Sequence, residues 1–173
     1  MRRYFTDRSG RVALSGLLAA GSLVVMLLAG ILPAWRMGLT AVSGLFPMVG
    51  VLAAGRSAGL CCWAAAGILG FLLIPDKGAA LLYLLFFGLY PVLKERIEGL
   101  RRLAFEYVLK AVYFNGVLTV LWFCFRSVFL PHPPLWLIEH GVFLYILGNF
   151  AFICYDYVLS RMVCFLRERL RLR

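Results

Sequence analysis

The chain of 173 residues is 63% hydrophobic and only 15% charged, whereas an average soluble domain is nearer half apolar and a quarter charged. A mean hydropathy of +0.90 and long uncharged runs exclude a soluble globule, and they exclude disorder, which needs low hydrophobicity and dense charge. The five cysteines include the adjacent pair Cys61-Cys62 and no C-x-x-C spacing, so neither a disulfide framework nor a metal or redox site is expected.

The first uncharged run, 12–32, is 21 residues long, enough to cross roughly 30 Å of hydrocarbon at about 1.5 Å per residue. It is too long for a signal-peptide core and no small-x-small cleavage site follows, so it is expected to remain as a span that Pro33 ends. The second span is 37–54 and the third 57–75, parted by the Gly55-Arg56 hinge, and the fourth is 78–93. A polar stretch follows, Lys94-Glu95-Arg96-Ile97-Glu98-Gly99-Leu100-Arg101-Arg102. The fifth span, 103–130, holds Glu106, Lys110 and Arg126 around an uncharged centre, and the sixth, 136–166, holds Glu139, His140, Asp156 and Arg161. Basic side chains near span ends can snorkel to the headgroups, which recovers the length these two centres lack. Pro131-His132-Pro133-Pro134 cannot continue a helix and is expected to form the turn between them. The runs are too long for barrel strands and lack period-two alternation. The expected fold is an all-α integral membrane protein, one domain over 1–173, built as a bundle of six transmembrane helices.

Orientation follows from the basic residues. With the amino terminus inside, the cytoplasmic segments hold fourteen of the eighteen Lys and Arg residues, leaving Arg36, Lys77 and Arg126 outside and Lys110 near the inner end. Both termini are therefore expected in the cytoplasm and the chain in the plasma membrane. The net charge of +10 then needs no nucleic acid: Arg167, Arg169, Arg171 and Arg173 would meet anionic headgroups of the bilayer, each contributing on the order of 1 kcal/mol.

Polar residues inside a membrane are costly and mark contacts or a solute site. On the fifth span Asn115, Thr119, Trp122 and Arg126 share one helical face, and on the sixth Tyr145, Asn149 and Asp156 do. On the fourth, Tyr83, Phe87 and Tyr90 share a face that Lys94 continues into the cytoplasm. Converging, these faces would enclose an outward-opening cavity suited to a flat, partly polar small molecule. The alternative is plain packing, with Asn and Thr bonding a neighbouring helix at about 0.6 kcal/mol each. The outer rim collects Trp35, Arg36, Asp76, Lys77, Arg126, His132, Trp136, Glu139 and His140. Its positive excess would favour a carboxylate or phosphate ligand, unless these are merely solvated loop charges. Glu106 and Lys110 are spaced as a helix-stabilising i,i+4 pair. Small residues form a further signal: Ser15, Gly16, Ala19 and Ala20 on the first span make a bare face for close helix approach, read as a partner-docking surface.

No H-E-x-x-H, G-x-S-x-G or phosphate-cradling G-x-x-x-x-G-K-[ST] is present, so an enzyme is not expected, nor a chain that powers transport alone. No cofactor and no metal are expected. The basic amino terminus, the small-residue first helix, Leu32-Pro33-Ala34-Trp35-Arg36, Leu45-Phe46-Pro47-Met48-Val49-Gly50 and Gly55-Arg56-Ser57-Ala58-Gly59-Leu60 together resemble the substrate-binding S components of energy-coupling-factor vitamin transporters. That resemblance implies capture of a micronutrient near the outer face, under a lid formed by the first outer loop at 33–37. It also implies docking of the first helix, through Ser15, Gly16, Ala19 and Ala20, on a transmembrane coupling subunit driven by two cytoplasmic ATPases. Many members begin the third helix with Gly-Pro, where this chain has Gly55-Arg56. The competing expectation is a non-catalytic membrane scaffold resembling the short, basic, six-helical rod-shape-determining proteins. A lone channel or carrier would want an inverted pair of broken helices, which the sequence does not display.

Overall fold

The computed structural model describes residues 7–99, 102–129 and 141–169, and among these it is helical with no strand. In chain order the helices are α1 (Arg8–Ile31), α2 (Arg36–Ser43), α3 (Leu45–Ala54), α4 (Arg56–Leu73), α5 (Lys77–Leu82), α6 (Tyr90–Glu98), α7 (Leu103–Phe129) and α8 (Gly141–Arg169). A 3-10 turn, Pro33–Trp35, precedes α2, and a π-helical segment, Tyr83–Phe87, joins α5 to α6. Taken as continuous stretches, six are long and apolar enough to cross a membrane: Arg8–Ile31, Arg36–Ala54, Arg56–Leu73, Lys77–Glu98, Ala104–Phe123 and Tyr145–Glu168. The first begins at Arg8, four residues before the uncharged run, and the second and third match their expected bounds to within two residues. The fourth runs five residues past its expected end, and the fifth and sixth overlap the expected 103–130 and 136–166 over Ala104–Phe123 and from Tyr145 on. The expected Pro131-His132-Pro133-Pro134 turn lies outside the described residues. The chain falls into two compact units, Met1–Arg96 with Val163–Arg173, and Ile97–Met162.

In the first unit α1 and α4 run parallel in close contact. Ser15 Oγ donates to the Ala58 carbonyl at 3.2 Å near their amino ends. Toward the other end, a Cβ added to Gly70 would come within 2.9 Å of the Met26 side chain, and one added to Gly30 within 3.6 Å of Ile74. Between these points Ala19, Met26, Cys62, Ala66, Ile74, Ala80 and Tyr83 form a buried core. Small residues on both helices allow this approach.

Two spans of this unit are broken, and each break has a local cause. The second turns at Gly44, between α2 and α3. Pro47 has no N–H to return to the Ser43 carbonyl four residues back; Ser22 Oγ on α1 donates to that carbonyl at 3.0 Å instead. The flanking hydroxyls turn inward on their own helix, Thr40 to the Arg36 carbonyl at 2.7 Å and Ser43 to the Thr40 carbonyl at 2.6 Å. In the fourth span the Gly88 N–H reaches back five residues to the Tyr83 carbonyl at 2.8 Å. That shift withdraws Gly88 from the Leu84 carbonyl, which accepts from the Trp63 indole N–H at 3.0 Å. Residue 88 has to be glycine, since a Cβ there would stand 2.8 Å from both Trp63 and Tyr83.

In the second unit α7 and α8 run antiparallel. The Phe114 and Phe152 rings stack with centroids 4.6 Å apart. Gly148 lets the helices close, because a Cβ there would lie 3.3 Å from both Leu118 and Phe114.

The close crossing of α3 on α4 provides a test. A Cβ at Gly59 would meet the Pro47 carbonyl oxygen at 2.9 Å and the Val51 backbone nitrogen at 3.3 Å, whereas one at Gly16 meets nothing within 4 Å. Gly59→Ala should lower stability by roughly 1–3 kcal/mol through overpacking. Gly16→Ala should leave it unchanged or raise it by up to about 1 kcal/mol through helix propensity. Thermal unfolding of the purified protein in detergent measures both.

Candidate functional site

At one end of the first unit α4 finishes, the chain turns at Pro75, and α5 begins. Asp76 caps α5, its Oδ1 accepting from the Gly78 N–H at 3.0 Å and the Ala79 N–H at 3.2 Å. Its other oxygen, Oδ2, pairs with Arg36 Nη1 at 3.3 Å, tying the start of α2 to the start of α5. Lys77 turns the opposite way and donates to the carbonyl of Phe71 near the end of α4 at 2.6 Å and to that of Ile74 just past it at 3.1 Å. An ammonium there completes a helix end whose carbonyls have no intrahelical donor. Trp35, in the turn before α2, stands 70% exposed. Trp35, Arg36, Asp76 and Lys77, the four expected rim residues described, thus come from two short connections, and the three charged ones have structural partners.

Deeper in the same unit the expected aromatic wall divides. Tyr83 is fully buried in the core, packed with Ala66, Cys62 and Met26 rather than edging a hollow. Phe87 is half-buried with its ring edge-on to Phe86, centroids 4.9 Å apart. Lys94 is buried at 3% exposure, where the sequence pattern places it in the cytoplasm.

In the second unit four of the expected residues meet. Asn115 and Asn149 form a reciprocal amide pair, each Nδ2 donating to the other's Oδ1 at 3.1 Å. Their second amide hydrogens go to backbone, Asn115 to the Ala111 carbonyl at 2.9 Å and Asn149 to the Tyr145 carbonyl at 2.8 Å. One turn further, Thr119 donates to the Asn115 carbonyl at 2.7 Å. The threonine has a single hydroxyl hydrogen, so the Tyr145 hydroxyl, 2.8 Å away, is the donor of the bond they share. Every amide hydrogen in this ladder is engaged. What it can present to a solute is oxygen lone pairs, hence a preference for N–H and O–H donors. Trp122 lies beyond it, half-buried. The Arg126 side chain and Glu139 lie outside the described residues, as do His132, Trp136 and His140.

Lys110 departs from its expected pairing. Its ammonium bridges Glu98 at 3.0 Å and Asp156 at 3.1 Å rather than serving Glu106 one turn back. The lysine side chain is 8% exposed and Asp156 18%, against 41% for Glu98. A buried ammonium needs close counter-charges more than it needs a surface i,i+4 pair, and α8 supplies one that helical spacing within α7 cannot reveal. The small-residue face of α1 divides too. Ser15 and Ala19 are buried, Ser15 bonded to α4, while Gly16 and Ala20 remain exposed. Among the described residues, no group of three or more His, Cys, Asp or Glu could hold a metal ion.

No family model, curated protein or solved structure matches the chain.

The ion triad has a measurable asymmetry. Lys110→Met should cost about 3 kcal/mol, because it strands a carboxylate in a mostly buried setting, whereas Glu98→Gln at the exposed limb should cost less than about 1 kcal/mol. Adding Asp156→Asn to Lys110→Met should restore part of the loss in a double-mutant cycle read by chemical or thermal unfolding.

Proposed function

We propose that this chain is a membrane-embedded capture subunit for a vitamin-like small molecule. It would sit in the plasma membrane with both termini cytoplasmic, and hand its load to a separate transmembrane coupling subunit driven by two cytoplasmic ATPases. The observation that carries this reading is the Arg36–Asp76 pair. It fastens the connection bearing the exposed Trp35 to the cap of α5, through a guanidinium that a solute carboxylate or phosphate could take over from Asp76. Arginine is suited to such an exchange because its planar fork matches either anion. The Asn115–Asn149 and Thr119–Tyr145 ladder supplies acceptor groups in an apolar surround, where an unpaired polar atom would be costly. On this reading the coupling subunit contacts the exposed half of the small-residue face, Gly16 and Ala20, since Ser15 and Ala19 are committed to packing within the unit.

The scaffold reading draws on a different observation. Tyr83 is packed solid, and the amide pair is closed on itself, as suits helices that hold a shape and bind no solute.

A thermal-stability screen of the purified full-length chain against a vitamin panel separates the two. Capture requires one compound to stabilise the protein by about 4 kcal/mol at a thousand-fold excess over its Kd, an effect that Arg36→Ala should reduce at least tenfold in affinity. A panel without a single stabilising compound, together with co-purification of wall-synthesis enzymes, would establish the scaffold instead.

A further inference from the structure

A groove of about 210 Å³ opens near the amino ends of α1 and α4 and is lined by residues of both. Its floor is set by Ser15, whose hydroxyl hydrogen lies between the Arg11 carbonyl at 2.8 Å and the Ala58 carbonyl at 3.2 Å, holding the two helices together. The walls include Val12 on α1 and Cys61 on α4, with Arg8, Arg11 and Ser57 completing the lining. Val12 is 71% exposed and Cys61 is exposed as well. The described residues that line the groove include two arginines and no acidic group. The nearby Glu95 is engaged by Arg56. α4 starts at Arg56 without a side-chain cap, so the positive end of its dipole lies at this same end.

Size and lining together limit the occupant. The volume falls below the roughly 300–1,000 Å³ of pockets that enclose a drug-sized ligand, so a whole vitamin-like solute does not fit. The walls are mostly apolar, which does not suit a free hydrated anion. A molecule with an anionic head and a narrow hydrocarbon tail satisfies both parts. The two helices concerned are among those long and apolar enough to cross a membrane, so such molecules would surround the groove. We propose that it is a binding site for one anionic phospholipid. The phosphate sits between Arg8, Arg11 and the Ser57 hydroxyl, and the first part of one acyl chain lies along Val12 and Cys61. Bound there, the lipid would brace the amino ends of α1 and α4 beside the exposed Gly16. The site does not depend on the capture reading, since it uses none of the residues assigned to the solute.

Native mass spectrometry of the full-length protein, released from micelles containing equal phosphatidylglycerol and phosphatidylcholine, tests this. One phosphatidylglycerol should be retained in preference to phosphatidylcholine. Retention should fall about fivefold with Arg8→Gln and about 25-fold with Arg8→Gln and Arg11→Gln combined, at on the order of 1 kcal/mol per basic residue. Cys61→Trp, which fills the groove without touching a charge, should abolish it. Equal retention of the two lipids, or phosphatidylglycerol undiminished in Arg8→Gln and Cys61→Trp, would overturn the assignment. So would its full displacement by millimolar inorganic phosphate, because the groove would then be taking an anion alone.

Discussion

A helix that breaks inside an apolar surround leaves carbonyl groups that no water can take up, and each must find a donor from the protein. The first unit is arranged around that constraint. Pro47 lacks the backbone N–H that the regular ladder needs, and the π-segment diverts another, so in both places a side chain on a neighbouring helix reaches the carbonyl left over. Ser22 of α1 serves Ser43 and Trp63 of α4 serves Leu84. These two bonds fix α1 against the second span and α4 against the fourth. They also explain why residues of modest polarity stand in otherwise apolar runs.

The turn between the third and fourth spans places the chemistry. Because α4 ends before Pro75 and α5 starts afresh, a carboxylate at the cap position is available to Arg36, and the ammonium of Lys77 is available to the carbonyls that α4 leaves open. A single unbroken helix would need neither group. The second unit meets the same constraint differently. Its two long helices keep their own ladders and spend polar side chains on one another, in the amide pair, the Thr119–Tyr145 bond and the bridge from Lys110 to Glu98 and Asp156. If a solute is recognised there it has to compete with bonds already made, so affinity would rest on groups these bonds leave over, chiefly oxygen lone pairs.

The spans were legible in the sequence because uninterrupted apolar length is a signal that tertiary context rarely overrides. So was the pairing of faces on the fifth and sixth spans, since four-residue spacing of Asn115 with Thr119 and of Tyr145 with Asn149 leaves little choice of face. The interior breaks were not legible. Gly44, Pro47 and Gly88 all occur within runs whose hydropathy reads as continuous, and only the positions of Ser22 and Trp63 on other helices reveal which carbonyls were released. The partner of Lys110 was missed for the same reason, because spacing along one helix points to Glu106 and is silent about α8. The stripe Ser15, Gly16, Ala19, Ala20 reads as a partner surface, yet two of its four members pack within the unit. A helix with small residues on adjoining faces can turn either one inward, and here α4 takes Ser15 and Ala19.

The most direct measurement is a thermodynamic cycle between Ser22→Ala and Pro47→Ala. Alanine at 47 restores a backbone N–H for the Ser43 carbonyl, so the serine hydroxyl should then matter less. Ser22→Ala is expected to cost about 1 kcal/mol in the natural chain and distinctly less in the Pro47→Ala background, a coupling of at least roughly 0.5 kcal/mol. Strictly additive losses would contradict the account, since they would mean that the hydroxyl and the missing N–H do not serve the same carbonyl.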